Sequence, residues 1–161
     1  MTRKLLLLAM AIAALAVPIT FAACGDDDDD DGETTAAEET AAGPTEVTLT
    51  ADDAGGNYTF ELSETPTLDT ESVTFDNQGE ESHALVFARI NEGYTVDEAF
   101  ELEGSKGSAV LMTQTGAPPG KSKTVELQRP MEPGNYAMLC PIGSPEGPHY
   151  KLGQLEEFTI E

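Results

Sequence analysis

Two histidines, His83 and His149, and two cysteines, Cys24 and Cys140, are the whole supply of imidazole and thiol ligands in a chain of 161 residues. Three of the four fall in its second half. His83 opens the apolar stretch HALVFARI, Cys140 closes NYAML, and His149 ends the Gly/Pro-rich loop that follows. Two imidazoles and one thiolate make the trigonal set of an electron-transfer copper centre, completed by a weak axial ligand. With an oxygen as fourth donor the same set suits tetrahedral zinc. A plainer reading stands beside these, in which each His is a surface residue at a strand edge and the Cys is inert core. The metal reading requires a fold that gathers three separate strand ends.

The N-terminus sets the compartment. Met1 to Lys4 is short and basic, Leu5 to Val17 is an apolar run of about a dozen residues, and small residues follow at Ala22 and Ala23. That order reads as a secretory signal over residues 1–23, too short to span a membrane. FAAC, with Cys24 directly after two alanines, resembles a bacterial lipobox, although Phe21 stands where Leu is usual; an ordinary cleavage site is the alternative. The resemblance implies lipid attachment at Cys24 and anchoring to the outer face of the cell membrane. Residues 24–45 carry six consecutive aspartates, then mostly Thr, Ala, Glu and Gly, with no aromatic and no aliphatic side chain larger than Ala. Such a segment buries too little apolar surface to offset its ordering entropy and reads as an extended acidic tether. If Cys24 is lipidated, Cys140 has no disulfide partner, and a bound metal would occupy a thiol otherwise exposed to oxidation.

Charge narrows the partners. Loss of Arg3 and Lys4 with the signal leaves six cations against thirty acids, a net charge of about −24. Phosphate binding requires cations, so nucleic acid and anionic lipid are excluded as partners. A redox partner with a basic or apolar docking surface remains compatible.

From Glu46 onward the apolar pattern has mostly period two. VTLTA, YTFEL, SVTFDNQG, HALVFARI, KTVELQ, GNYAMLC and LEEFTIE are short, rich in β-branched or aromatic residues, and bounded by Gly, Pro, Asn or Asp. This predicts an all-β antiparallel sandwich or barrel over residues 46–161. One segment differs: TVDEAFELEG offers Thr95 as N-cap, Glu98 three residues on, and Gly104 as a terminator, which predicts one short inserted helix. The Gly/Ser/Pro-rich stretch 104–120 is left unassigned.

Two segments carry a family resemblance. DNQGEESHALVF resembles the first-ligand segment of the cupredoxins, the blue-copper family, and PGNYAMLCPIGSPEGPHYKLGQLEEFTI resembles their second, a strand to Cys, a loop to His, then Gly, an axial residue and a last strand. The likeness spans about residues 46–161. It implies a Greek-key β-sandwich, a single copper ion, His83, Cys140 and His149 as equatorial ligands, and Gln154 in the axial position where Met is usual. Gln is a known substitute there. It further implies a His149 ring edge that reaches solvent and serves as the docking point, with Pro148, Leu152 and Pro118 or Pro119 as an apolar collar. Ala84 departs from the polar residue often found after the first ligand, and Pro141 has no N–H to offer a sulfur.

The role implied is one-electron transfer rather than enzymatic catalysis. Cys140 ends an apolar strand rather than standing beside a base at a helix N-terminus, which argues against a thiol hydrolase. No phosphate-cradling loop or zinc-protease motif is present. Copper storage or delivery, and a metal-free interaction module, are the alternatives that share this sequence.

Overall fold

The computed structural model describes residues 42–101 and 107–161. The signal segment, Cys24, the aspartate run and Gly104 lie outside the described residues.

The period-two pattern becomes two four-stranded sheets packed face to face. One sheet has the order β2-β1-β3-β6, from β1 (Glu46–Asp52), β2 (Thr59–Leu62), β3 (Ser72–Asn77) and β6 (Lys121–Glu126). The other has the order β10-β7-β4-β5, from β4 (His83–Ile90), β5 (Ala109–Ala117), β7 (Gly134–Leu139) and β10 (Leu155–Ile160). A two-residue ladder, β8 (Gly143–Ser144) with β9 (Gly147–Pro148), lies within the loop after β7. Pairing is antiparallel except between β1 and β3, which run parallel from Glu46 opposite Ser72 to Ala51 opposite Asn77. The all-β, cupredoxin-like sandwich expected from the sequence is the architecture found.

Alternation decides what faces inward. Val47, Leu49 and Ala51 of β1 and Val73 and Phe75 of β3 meet Leu85 and Phe87 of β4 and Tyr136 and Met138 of β7 in the inter-sheet core. Burying each Leu or Phe there stabilises the fold by about 1.5–3 kcal/mol. β5, the unassigned stretch, carries an extra residue, Met112, opposite the Phe87–Ala88 step, and its side chain joins the same core.

The unbroken apolar run in β7 has a different cause. Ala137 and Leu139 face away from the first core and are covered by Val96 and Tyr150, which belong to two short helices. The first, α1 (Val96–Phe100), starts at the expected capping box: Thr95 Oγ1 accepts from Glu98 N–H, and the Glu98 carboxylate accepts from Thr95 N–H. The second, α2 (His149–Leu152), is a single turn with no periodic pattern behind it, so the described residues hold two short α-helices rather than the one expected. Lys151 of α2 pairs with Asp97 and Glu101 at α1, at 3.5 and 3.2 Å.

Candidate metal centre

Antiparallel pairing of β4 with β7, Val86 opposite Leu139, sets the start of one strand beside the end of the other. His83 and Cys140 are thereby neighbours. The ligand loop returns to the same place through four backbone hydrogen bonds: Cys140 N–H to Gln154 O (3.1 Å), Tyr150 N–H to Cys140 O (3.0 Å), His149 N–H to Ile142 O (2.8 Å) and Gln154 N–H to His149 O (3.0 Å). Together with the β8–β9 ladder they close the loop without help from a metal.

His83, Cys140 and His149 are all buried, and one ligand atom from each lies within 4.8 Å of the others. The two Nδ1 atoms are 3.2 Å apart, and Cys140 Sγ is 3.7 Å from His149 Nδ1. Sulfur accepts the Ala84 N–H at 3.4 Å, so the position after His83 contributes its backbone rather than a polar side chain. Ile142, one residue past Pro141, supplies a second N–H to the thiol. Burial pushes the Cys140 thiol above its ordinary range against those two hydrogen bonds, so the metal-free site holds a protonated thiol at neutral pH. Burial, and next the neighbouring His83, push His149 below its ordinary value, with Glu81, Gln154 and Asp53 opposing. Uptake of a metal here releases the thiol proton.

Behind His83 stands a residue that pattern reading passed over. Asp53, in the turn after β1, accepts Glu80 N–H at 2.6 Å, Glu81 N–H at 2.8 Å and His83 Nε2–H at 3.0 Å. Burial raises its pKa, but those three donors outweigh burial and hold the carboxyl below the usual range. The turn they grip is also fixed by Asn77, whose Nδ2 donates to the carbonyls of Glu81 (2.8 Å) and Ala117 (2.9 Å) and whose Oδ1 accepts Gly79 N–H (3.0 Å).

His149 is not where the family resemblance places it. Its exposure is 1%, and no ring edge reaches solvent. Tyr58 lies over it with ring centroids 4.4 Å apart, and Glu81 Oε2 is 3.9 Å from His149 Nε2. Pro148 and Leu152 are half-buried, and Pro118 and Pro119 are exposed, but they collar no accessible imidazole. Docking on a bare His149 edge is therefore withdrawn.

Gln154 is fully buried. Its Nε2 donates to Asp52 O at 3.1 Å, which fixes the sense of the amide, and lies 3.4 Å from His83 Nε2. Its Oε1 is buried with no hydrogen-bond partner. An orphaned buried oxygen costs about 1–3 kcal/mol. Gln154 touches His83 through its amide and brings a spare oxygen donor to a His–Cys–His set, so the residues present fit a copper or zinc ion.

A two-sheet sandwich of this topology is cupredoxin-like in fold, and it gathers a His–Cys–His triangle. Several solved structures are similar to it. Dithionite-reduced auracyanin from the photosynthetic bacterium Roseiflexus castenholzii aligns at 25% identity over 74% of this chain and 99% of that one, with a TM-score of 0.52. Reduced rusticyanin aligns at 16% identity over 74% of this chain and 82% of its own, and auracyanin A, a "blue" copper protein from the green thermophilic photosynthetic bacterium Chloroflexus aurantiacus, at 16% over 72% and 99%; both have a TM-score of 0.46. No protein-family model matches the sequence, and no curated protein matches it.

Proposed function

We propose that this protein is a one-electron carrier working outside the cytoplasm, with one copper ion held by His83, Cys140, His149 and Gln154 and a lipid on Cys24 anchoring it to the outer face of the cell membrane. The observation that carries the copper reading is the buried triangle of ligand atoms within 4.8 Å; Gln154, which touches His83 and has an unpartnered Oε1, supports it. The structural likeness to auracyanin supports the same role. The lipid anchor rests on the FAAC segment alone.

When bound, copper supplies the redox chemistry, alternating between Cu(I) and Cu(II). The chain supplies a ligand loop already closed by its own hydrogen bonds, so little has to move when the charge at the site changes. Burial of all three ligands excludes water and favours retention over exchange, which argues for a carrier over a storage or delivery protein. Since His149 is covered, a redox partner meets the half-exposed Tyr58 ring lying tilted over it rather than the imidazole itself.

The test is addition of Cu(II) to the purified protein. An intense blue thiolate-to-copper band, absent in Cys140→Ser, together with a reversible redox couple and slow copper loss to a chelator, is the expected result. A colourless complex, as with a zinc site or a metal-free module, overturns it.

A further inference from the structure

Asp53, in the turn after β1, lies 27 and 28 residues from Glu80 and Glu81 in the turn before β4, yet its one carboxylate holds the two turns together at the back of the site. Asp53 is 6% exposed and aims Oδ2 at the distal nitrogen of His83 while both its oxygens take backbone N–H groups of Glu80 and Glu81. A carboxylate only accepts, so Nε2 carries the His83 proton and Nδ1 is left bare, facing His149 Nδ1 and Cys140. With His83 Nδ1 bare, the 3.2 Å contact is a hydrogen bond donated by His149 Nδ1–H. The arrangement is built into the chain at one more place. A Cβ on Gly79 would stand 2.9 Å from the Asp53 carboxyl carbon and Oδ1, so only glycine leaves room for the carboxylate between the two turns.

We infer that Asp53 is a positioning residue for the metal centre: it fixes the His83 tautomer and ring orientation so that Nδ1 is the donor, and it places a fixed negative charge behind that ligand. The inference deepens the proposed copper site and rests on it. Carboxylates hydrogen-bonded to ligand imidazoles orient them and make them more basic. A negative charge at this distance also favours the more positive ion, Cu(II), over Cu(I).

Three variants separate these effects from simple folding. Asp53→Asn keeps one oxygen for the Glu81 and His83 N–H groups and removes the charge, at the loss of the hydrogen bond from Glu80 N–H, which then faces an amide NH2. Copper affinity and the His83 tautomer should stay near those of the parent protein, and the reduction potential should rise. Asp53→Ala frees the His83 ring. In the metal-free protein, imidazole 15N shifts should then change from a pure Nε2–H pattern to a mixture, and copper affinity should fall about 10–100-fold. Gly79→Ala displaces the carboxylate without removing it and should move the same signals in the same direction, which covers the case in which Asp53→Ala folds poorly. Unchanged nitrogen shifts in Asp53→Ala and Gly79→Ala, or an unchanged potential in Asp53→Asn, overturn the inference. A parent protein that gives no blue band refutes the copper reading instead, and the metal-free nitrogen shifts still decide the role of Asp53.

Discussion

The Tyr58 ring lies on the His149 imidazole, centroids 4.4 Å apart and planes inclined by 39°. Its hydroxyl donates to Glu81 Oε2 at 3.4 Å, the same oxygen that lies 3.9 Å from His149 Nε2. Burial, and next the Glu81 charge, raise the Tyr58 pKa, so the phenol keeps its proton and can donate. One residue just before β2 thus shields the ligand that the family resemblance leaves open to solvent, and it ties the shield to the turn that carries His83.

The shield makes copper retention depend on Tyr58. Tyr58→Ala should expose the His149 ring and speed copper loss to a chelator, whereas Tyr58→Phe, which loses only the 3.4 Å contact to Glu81, should lose copper nearly as slowly as the parent. The stack itself contributes about 1 kcal/mol. Chelator kinetics followed at the blue band measure this, and equal rates for Ala and parent would show that Tyr58 is not the barrier.

Gly153 is what lets Tyr58 come so close. A Cβ there would stand 2.1 Å from the Tyr58 carbonyl oxygen, and its φ of +135° is strained for any side chain. Gly153→Ala should cost at least about 2 kcal/mol from backbone strain and forced separation. A chemical-denaturation midpoint well below that of the parent protein checks it. Because Gly153 precedes Gln154 and ends α2, copper retention should fall in the same variant.

The ligand triangle was legible because rare residue types fell at the ends of well-patterned strands, and a sandwich gathers strand ends. The parallel run of β1 beside β3 was not, since alternation looks the same for either direction. Met138, two residues before Cys140 on the same face of β7, packs in the core as alternation requires. α2 escaped notice because one helical turn inside a Gly/Pro-rich loop leaves no periodic pattern. Asp53 and Tyr58 escaped for a different reason: in ADDAGGNY they look like ordinary turn residues, and their roles exist only through contacts 30 residues away to His83 and 91 to His149. Burial of His149 was misjudged with them, because what covers it comes from that turn.

At α1 the prediction is one of stability and pH. Thr95→Ala removes the acceptor for Glu98 N–H and should cost about 1 kcal/mol in thermal or chemical melts. Hydrogen bonds from the Thr95 backbone and then its hydroxyl hold the Glu98 carboxyl below the usual range. A depressed carboxyl contributes stability that is present above its unfolded-state pKa and is lost as pH falls through the folded value. Glu98→Gln should therefore reduce stability at neutral pH and converge with the parent in strong acid. A constant difference at all pH values would show that the charge plays no part.

The axial position gives the sharpest electronic prediction. An amide oxygen is a harder donor than a thioether and favours Cu(II), so Gln154→Met should have the higher reduction potential. The substitution also removes the 3.1 Å hydrogen bond to Asp52 O, leaving that carbonyl to be satisfied otherwise, and removes the orphaned Oε1. These two effects on the metal-free fold oppose each other, each of order 1–3 kcal/mol, so its stability should change much less than the loss of either group alone would suggest. Potentiometry on both proteins decides the electronic part. A Met variant whose potential is equal to or below that of the parent would mean that Gln154 does not act on the ion, and that His83, Cys140 and His149 hold copper as three ligands.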